Sequence, residues 1–317
     1  MNSAILFLVF NRPDLASQVF QAIRSARPPR LYVAADGPRE GRDSERQDCM
    51  EARRVIDEVD WPCEVKCLFQ EKNLGPMHAQ VAALDWFFDQ EKEGVILEDD
   101  CLPDQSFFGY CDELLECYRD DRRVFMISGN NFQGGIKRGD ADYYFSIYTH
   151  IWGWAAWKRS WQCFDKDLTD WPSFRECGGL ENLHGTKVTR KYWFDLFDRI
   201  YSGTYKRGWD YRFLFACWRE NGLTIIPQKN LVTNIGFGHQ ATNCKDLHSP
   251  FSNVNTYRIN LPLRHPKVIS RCFFADEKTS GEMFSYQSLL VRAMAYLIRP
   301  RLLLGKLLKK IKGVVVV

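Results

Sequence analysis

The chain has 317 residues, 45% hydrophobic and 26% charged; this composition excludes a fibrous, collagen-like or wholly disordered protein and suits one large α/β domain with an appendage or two modest domains. The formal net charge of +3 hides an asymmetry, because from Phe284 onward there are seven basic residues (Arg292, Arg299, Arg301, Lys306, Lys309, Lys310, Lys312) and no acidic one, leaving −4 on the remainder. Duplex binding needs Lys and Arg spread over a folded face, so a mildly acidic body argues against a nucleic-acid partner.

In chain order, residues 5–10 read as a buried strand and 13–26 as a helix with Pro13 in its first turn. A strand at 30–35, a turn at Asp36-Gly37-Pro38 and a charged helix over about 43–59 follow. Residues 65–69 form a third strand, 76–90 a helix, 94–97 a fourth strand, 107–119 a helix and 124–128 a further strand. Apolar rather than alternating strands, separated by helices, predict a mostly parallel α/β sheet with helices on both faces.

Beyond residue 130 the pattern loosens. Aromatic and Gly residues crowd 143–161, helices are expected at 188–201 and 210–221, and a short strand at 223–226. Residues 243–282 are polar, with Pro250, Pro262 and Pro266, and read as an extended loop or linker. The organisation expected is a domain over 1–242 with halves 1–130 and 131–242, the linker, and an amphipathic helical tail over 283–317. In that tail Arg292, Arg299 and Lys306 recur every seven residues, as in a helix lying on an anionic bilayer, or one docked on the body with its basic face in water.

The eleven cysteines include no CxxC pair, and Cys63 to Cys67 and Cys111 to Cys117 are the nearest spacings. Reduced, mostly buried thiols in a reducing compartment are the expectation. The apolar run 4–10 lacks a basic flank and meets Asn11-Arg12-Pro13 at once, so it is too short to span a bilayer and wrong for a signal peptide. Together these predict a cytoplasmic protein, peripheral at the inner face of the plasma membrane.

Ligands of open parallel sheets bind at the carboxyl ends of the strands. Glu98-Asp99-Asp100 directly follows a buried strand, where three acids repel one another unless a cation is present; hard oxygen ligands in small number suit Mn²⁺ or Mg²⁺. The plainer reading is an acidic helix start before Pro103. At the other strand ends, Arg12 can offer a diphosphate paired donors and Asp36 can accept from a base or ribose hydroxyl, although Asp-Gly-Pro is also ordinary turn chemistry. Their coincidence on one sheet edge favours a nucleotide-diphosphate site.

Phe10-Asn11-Arg12-Pro13, Asp36-Gly37, Asn73-Leu74-Gly75-Pro76 and the run from Ile96 through Glu98-Asp99-Asp100 to Phe107-Phe108 together resemble GT-A glycosyltransferases, in particular the N-acetylglucosaminyltransferase I group and its bacterial relatives, over about residues 4–240. The resemblance implies a GT-A, Rossmann-like fold and a nucleotide-diphosphate sugar donor, with UDP as nucleotide. It implies that Asp100 meets the metal, that Glu98 and Asp99 hold sugar and ribose, and that Asp36 meets uracil or ribose. Phe10, Asn11, Arg12, Gly37, Asn73 and Gly75 would complete the nucleotide-sugar site. Trp152-Gly153-Trp154 is similar to the family's acceptor segment, for a glycan or lipid-linked saccharide, and Gly208-Trp209-Asp210 to its Trp-Asp motif, with Trp209 in the acceptor site and Asp210 as base. Tyr211 stands where the family often has a second acid.

An inverting displacement needs one carboxylate base, and Asp210 at a helix start is the candidate, against the plainer role of an acid favoured by the helix dipole. His239, in a Gly-flexible loop, is a candidate metal ligand or a plain loop residue. Of the tryptophans, Trp152 or Trp154 is expected to line the site and Trp157 to be core. Two rivals stand beside glycosyl transfer. A sugar-phosphate nucleotidyltransferase would need a Gly-rich basic loop after strand one, which Asn11-Arg12-Pro13 is not. A non-catalytic glycan- or membrane-binding protein with a degenerate site is the other.

Overall fold

A computed structural model describes residues 1–238, Ser249 and 251–284. His239 and the basic tail lie outside the described residues. Ala4–Val9 (β1) is buried throughout and leads into Pro13–Ala26 (α1), whose first turn holds Pro13. Arg30–Ala35 (β2), Asp43–Arg53 (α2), Glu64–Phe69 (β3), Pro76–Gln90 (α3) and Glu93–Glu98 (β4) follow. Next come Cys101–Pro103 (β5), Ser106–Cys117 (α4), Val124–Ser128 (β6), Tyr143–Ser146 (β7) and Trp154–Trp157 (β8). Lys158–Trp161 (α5), Trp171–Glu176 (α6), Gly179–Leu183 (α7), Lys187–Tyr201 (α8) and Trp209–Arg219 (α9) precede Leu223–Pro227 (β9), Val232–Asn234 (β10) and Phe273–Met283 (α10).

Eight of these strands form one sheet in the order β3-β2-β1-β4-β8-β6-β9-β7, and β10 pairs with β5 beside it. The pairs β1 with β2, β1 with β4, β2 with β3 and β6 with β9 are parallel. β8 runs antiparallel between β4 and β6, and β7 antiparallel to β9 at the edge. The result is a mixed α/β, Rossmann-like sheet, mostly parallel as its apolar strands predict.

Side chains alternate across the sheet. Ile5, Phe7, Val9, Val95 and Leu97 join the core under α1 and α4, whereas Leu6, Leu8 and Ile96 join the one under α3 and α9. β8 alternates likewise, Ala155 and Trp157 on the first side, Trp154 and Ala156 on the second. A third cluster, with Trp171, Trp193, Phe197 and Trp218, packs α8 on α9, so much of the chain's tryptophan is core. Each such side chain contributes ~1.5–3 kcal/mol by leaving water.

Residues 251–272 strap the body: the N–H of Ile259 donates to Ser106 Oγ at 2.9 Å, that of Leu263 to Glu113 Oε1 at 2.8 Å, and that of Cys272 to the Phe145 carbonyl at 2.7 Å. Leu263 is buried in the core, and α10 occupies the end of the segment. Prolines made this stretch read as a loop or linker, yet its backbone bonds to side chains of α4, to Asp142 and to the carbonyls of Asn230 and Phe145. The described cysteines are free, but four are buried (Cys49, Cys101, Cys111, Cys217) and three exposed (Cys67, Cys117, Cys177), so burial is not the rule. Among the described residues no helix is long and apolar enough to cross a membrane.

Candidate active site

From β1 the chain winds outward to β2 and β3; from β4 it builds the other half of the sheet. The carboxyl ends of β1 and β4 therefore flank the point where strand order reverses, the usual ligand crevice of such sheets. Arg12, following β1, and Glu98-Asp99-Asp100, ending β4, meet there. Arg12 donates from Nη1 to Asp100 Oδ2 at 2.8 Å and from Nη2 to Asp99 Oδ1. The Phe10 N–H adds a bond to Asp99 Oδ2 at 3.3 Å. Burial works against the charged guanidinium, but Asp99 and Asp100 outweigh it and raise its pKa. Both amino nitrogens of Arg12, expected to grip a diphosphate, serve as counter-ion to two acids.

Asp99 is buried, and burial outweighs the pull of Arg12 to push its carboxyl up to about 6. Burial, reinforced by the charges of Asp100 and Asp99, pushes Glu98 up to about 8, so it is protonated at neutral pH. Gln80 of α3 donates to Glu98 Oε2 at 2.9 Å.

Asp210 enters this group from α9. Gly208 before the helix has φ 75° and ψ 74°, a left-handed turn that a side chain would strain. Burial lifts the Asp210 carboxyl to about 6, partly offset by the Tyr211 N–H, and its charge in turn raises Glu98. A base with that affinity is ionised at pH 7 yet basic enough to take a hydroxyl proton in a transition state.

Asp36 and its neighbours have a different part. Its Oδ1 accepts from the N–H of Gly37 and of Leu74, both at 2.8 Å, and its Oδ2 from Asn73 Nδ2 at 2.9 Å and the Gly75 N–H at 3.0 Å. A carboxylate offers about four acceptor positions, and these use them. Asp36 thus staples the 73–75 loop. Asn73 spends its remaining amide hydrogen on the Gly37 carbonyl at 2.9 Å. Asn11 donates to Glu45 Oε1 at 3.0 Å, and the Arg39 guanidinium lies 5.6 Å over the Phe10 ring, so Phe10 and Asn11 belong to a rim held by Glu45.

The acceptor expectations divide. Trp152 is half-buried, its ring 5.4 Å from Phe132 and 5.7 Å from Phe237, with Phe251 against Phe132. Trp154 is 1% exposed inside β8, stacked on Trp209, which is 4% exposed. Both side chains are buried in the core, as is that of Trp157. Gly153 has φ 69°, and a Cβ there would meet Val232 Cγ2 at 2.7 Å, so it serves a close approach of backbone to β10.

Sequence reading missed three parts. Asn130, Asn131 and Asn230 form a buried lattice in which Asn130 Oδ1 accepts from the Trp152 N–H at 3.0 Å and Asn230 Oδ1 from the Asn131 N–H at 3.1 Å. The signal available was Gly129-Asn130-Asn131 directly after a buried strand. Gln80 carried none. Gly236 crosses the acids: a Cβ there would stand 2.6 Å from Asp100 Cβ and 2.7 Å from Arg12 Nη1.

For a divalent cation the donor set fits in kind but is small. Among the described residues no group of three or more His, Cys, Asp or Glu side chains is arranged to hold a metal. Asp100 presents one hard, half-buried carboxylate, so an ion there would complete its shell with water and diphosphate.

No family model and no curated protein matches this chain. Among solved structures it is similar to HddC from Yersinia pseudotuberculosis, at 9% identity over 54% of this chain and 86% of that one, TM-score 0.32. It is also similar to the glycosyltransferase GlyE in Streptococcus pneumoniae TIGR4, at 13% identity over 71% and 45%, TM-score 0.32. Mouse xyloside xylosyltransferase 1 in its apo form matches at 9% identity over 68% and 81%, TM-score 0.36.

Proposed function

We propose that this protein is an inverting glycosyltransferase of the GT-A kind, moving a sugar from a nucleotide-diphosphate sugar, with UDP as nucleotide, to a hydroxyl of a glycan or lipid-linked saccharide. The observation that carries this reading is that the charge of Asp210, from α9, is felt by Glu98, which ends β4 at the crevice where the strand order reverses, both carboxyls being raised by burial.

The steps follow from those groups. Asp210 accepts the proton of the acceptor hydroxyl as its oxygen bonds to the anomeric carbon, and the bond from that carbon to the diphosphate breaks with its electron pair going to the leaving group. A positioned base contributes ~10²–10⁴-fold. Glu98, protonated at neutral pH, donates to a sugar hydroxyl and holds the ring, and Arg12 keeps the buried Asp99 paired. Manganese or magnesium, if bound, would have Asp100 as its protein ligand and would neutralise charge on the leaving diphosphate. Trp152 with Phe132 offers an aromatic wall to the acceptor. We place the protein at the cytoplasmic face of a membrane, held peripherally through its basic tail.

A donor screen tests the proposal: incubate with a panel of nucleotide sugars, with and without manganese, and follow release of nucleoside diphosphate and protection against thermal unfolding. Release from one donor, lost in Asp210→Asn while binding persists, is expected. No response to any nucleotide sugar overturns it and leaves a non-catalytic binding protein.

A further inference from the structure

Ten large hydrophobic side chains are exposed among the described residues, and five of them (Tyr257, Leu261, Val268, Phe273, Phe274) fall between 257 and 274. The same stretch contains Arg258, Arg264, Lys267 and Arg271 and no Asp or Glu. Its exposed apolar side chains are densest at the end, where Val268 is 67% and Phe274 76% exposed.

This end of the strap is held firmly. Cys272 bonds to the edge strand β7 through the Phe145 carbonyl at 2.7 Å, and Arg271 reaches buried Asp276 at 2.9 Å. Arg264 donates from its backbone to Asp142 at 2.8 Å. An aromatic pair presented to water on an anchored backbone is costly to keep exposed, unless something apolar covers it.

Charge indicates the cover. Arg264 and Arg271 are engaged by Asp142 and Asp276, but Arg258 and Lys267 are exposed. α10 begins at Phe273 and ends at Met283, and the sequence beyond it carries seven basic residues and no acidic one. α10 also carries Glu277 and, paired with Lys278, Glu282, so the exposed aromatics lie in a segment of net positive charge. This matches the headgroup region of an anionic bilayer, where rings enter the acyl boundary and Lys and Arg meet phosphates. A neutral apolar protein partner would leave that charge unanswered.

We propose that Val268, Phe273 and Phe274 form a wedge that enters an anionic lipid surface, with Lys267 against the headgroups. This rests on the membrane-surface part of the proposed function. One anchor alone binds reversibly and weakly, so wedge and tail would act as two signals.

The test is co-sedimentation of the full chain with vesicles of phosphatidylcholine, alone or mixed with phosphatidylglycerol. Wild type should bind the mixed vesicles. The double change Phe273→Ser and Phe274→Ser should weaken that binding roughly tenfold with an unchanged circular dichroism spectrum, and leucine at both positions should restore it. If the serine variant binds like wild type while Lys306→Gln with Lys309→Gln and Lys310→Gln releases the protein, the tail reading survives and the wedge is overturned. If wild type binds no anionic vesicle, the membrane reading falls with it, and glycosyl transfer stands on its own test. A concentration-dependent dimer that the serine variant abolishes without loss of vesicle binding also overturns the wedge, in favour of a second copy.

Discussion

Arg12 Nη1 lies 2.8 Å from Asp100 Oδ2, so the last of the three acids meets a cation of the chain itself. The guanidinium also pairs with Asp99, which has almost no access to water. Removing it strands a buried charge. Arg12→Gln should therefore lower unfolding free energy by about 3–5 kcal/mol in urea titration. Arg12→Lys should recover only part of this, because an ammonium cannot fork across two carboxylates. A loss under 1 kcal/mol would mean that Asp99 is better hydrated than its position implies.

The raised carboxyls set a pH dependence of stability. Asp99 and Asp210 at about 6 and Glu98 at about 8 bind protons in the folded state over a range where unfolded carboxyls, near ~4, have released them. The unfolded state thus binds fewer protons, and stability falls as pH rises from about 4 to about 8. Buried His150 and His184, lowered to about 4 and about 3, oppose this trend below about 6.5, so thermal midpoints should decline most clearly between about 6.5 and about 8. Glu98→Gln should leave the midpoint unchanged at pH 5 and raise it at pH 8; a variant equally stable at both would remove the assignment.

For Asp210→Asn, turnover should fall ~10²–10⁴-fold with little change in nucleotide affinity. Since burial raises the wild-type carboxyl, the amide should not lower stability at pH 7, which separates a base from a helix-capping acid. Wild-type kcat/KM should rise with pH through about 6 and fall again above about 8 as Glu98 loses its proton, and the variant should lose the lower limb.

Gly236→Ala tests the loop that crosses the acids. Its Cβ would press on Asp100 and Arg12, and overpacking of that kind costs ~1–3 kcal/mol. Nucleotide-dependent stabilisation should weaken along with the thermal midpoint. An alanine variant that binds nucleoside diphosphate like wild type would show that the loop yields easily.

The two tryptophans flanking Gly153 should respond in opposite ways. Trp152→Ala should raise the KM for acceptor with a small effect on folding, because the ring is half-buried beside Phe132 and Phe237. Trp154→Ala removes a ring stacked on Trp209 in the core and should cost ~3–5 kcal/mol, read in urea titration. Equal effects on stability would contradict their placement.

The first half of the molecule was legible because its signals are local. Apolar runs flanked by Pro13 and Pro76 mark strands followed by helices, and acids at the end of such a run fall on the carboxyl edge of a parallel sheet wherever it is built. The sequence alone thus determined the sheet's parallel half, its helical cover and the grouping of Arg12 with Glu98, Asp99 and Asp100. Tertiary structure decided what depends on distant segments: that Trp154 is a buried strand residue, that Asp36 spends its carboxylate on the 73–75 loop, that Gly236 packs on Asp100, and that the proline-rich strap closes on α4. A buried β8 and a stacking wall share the same aromatic composition; only the register against β4 and β6 separates them, and register is set by cooperative packing across the sheet, which no local pattern carries.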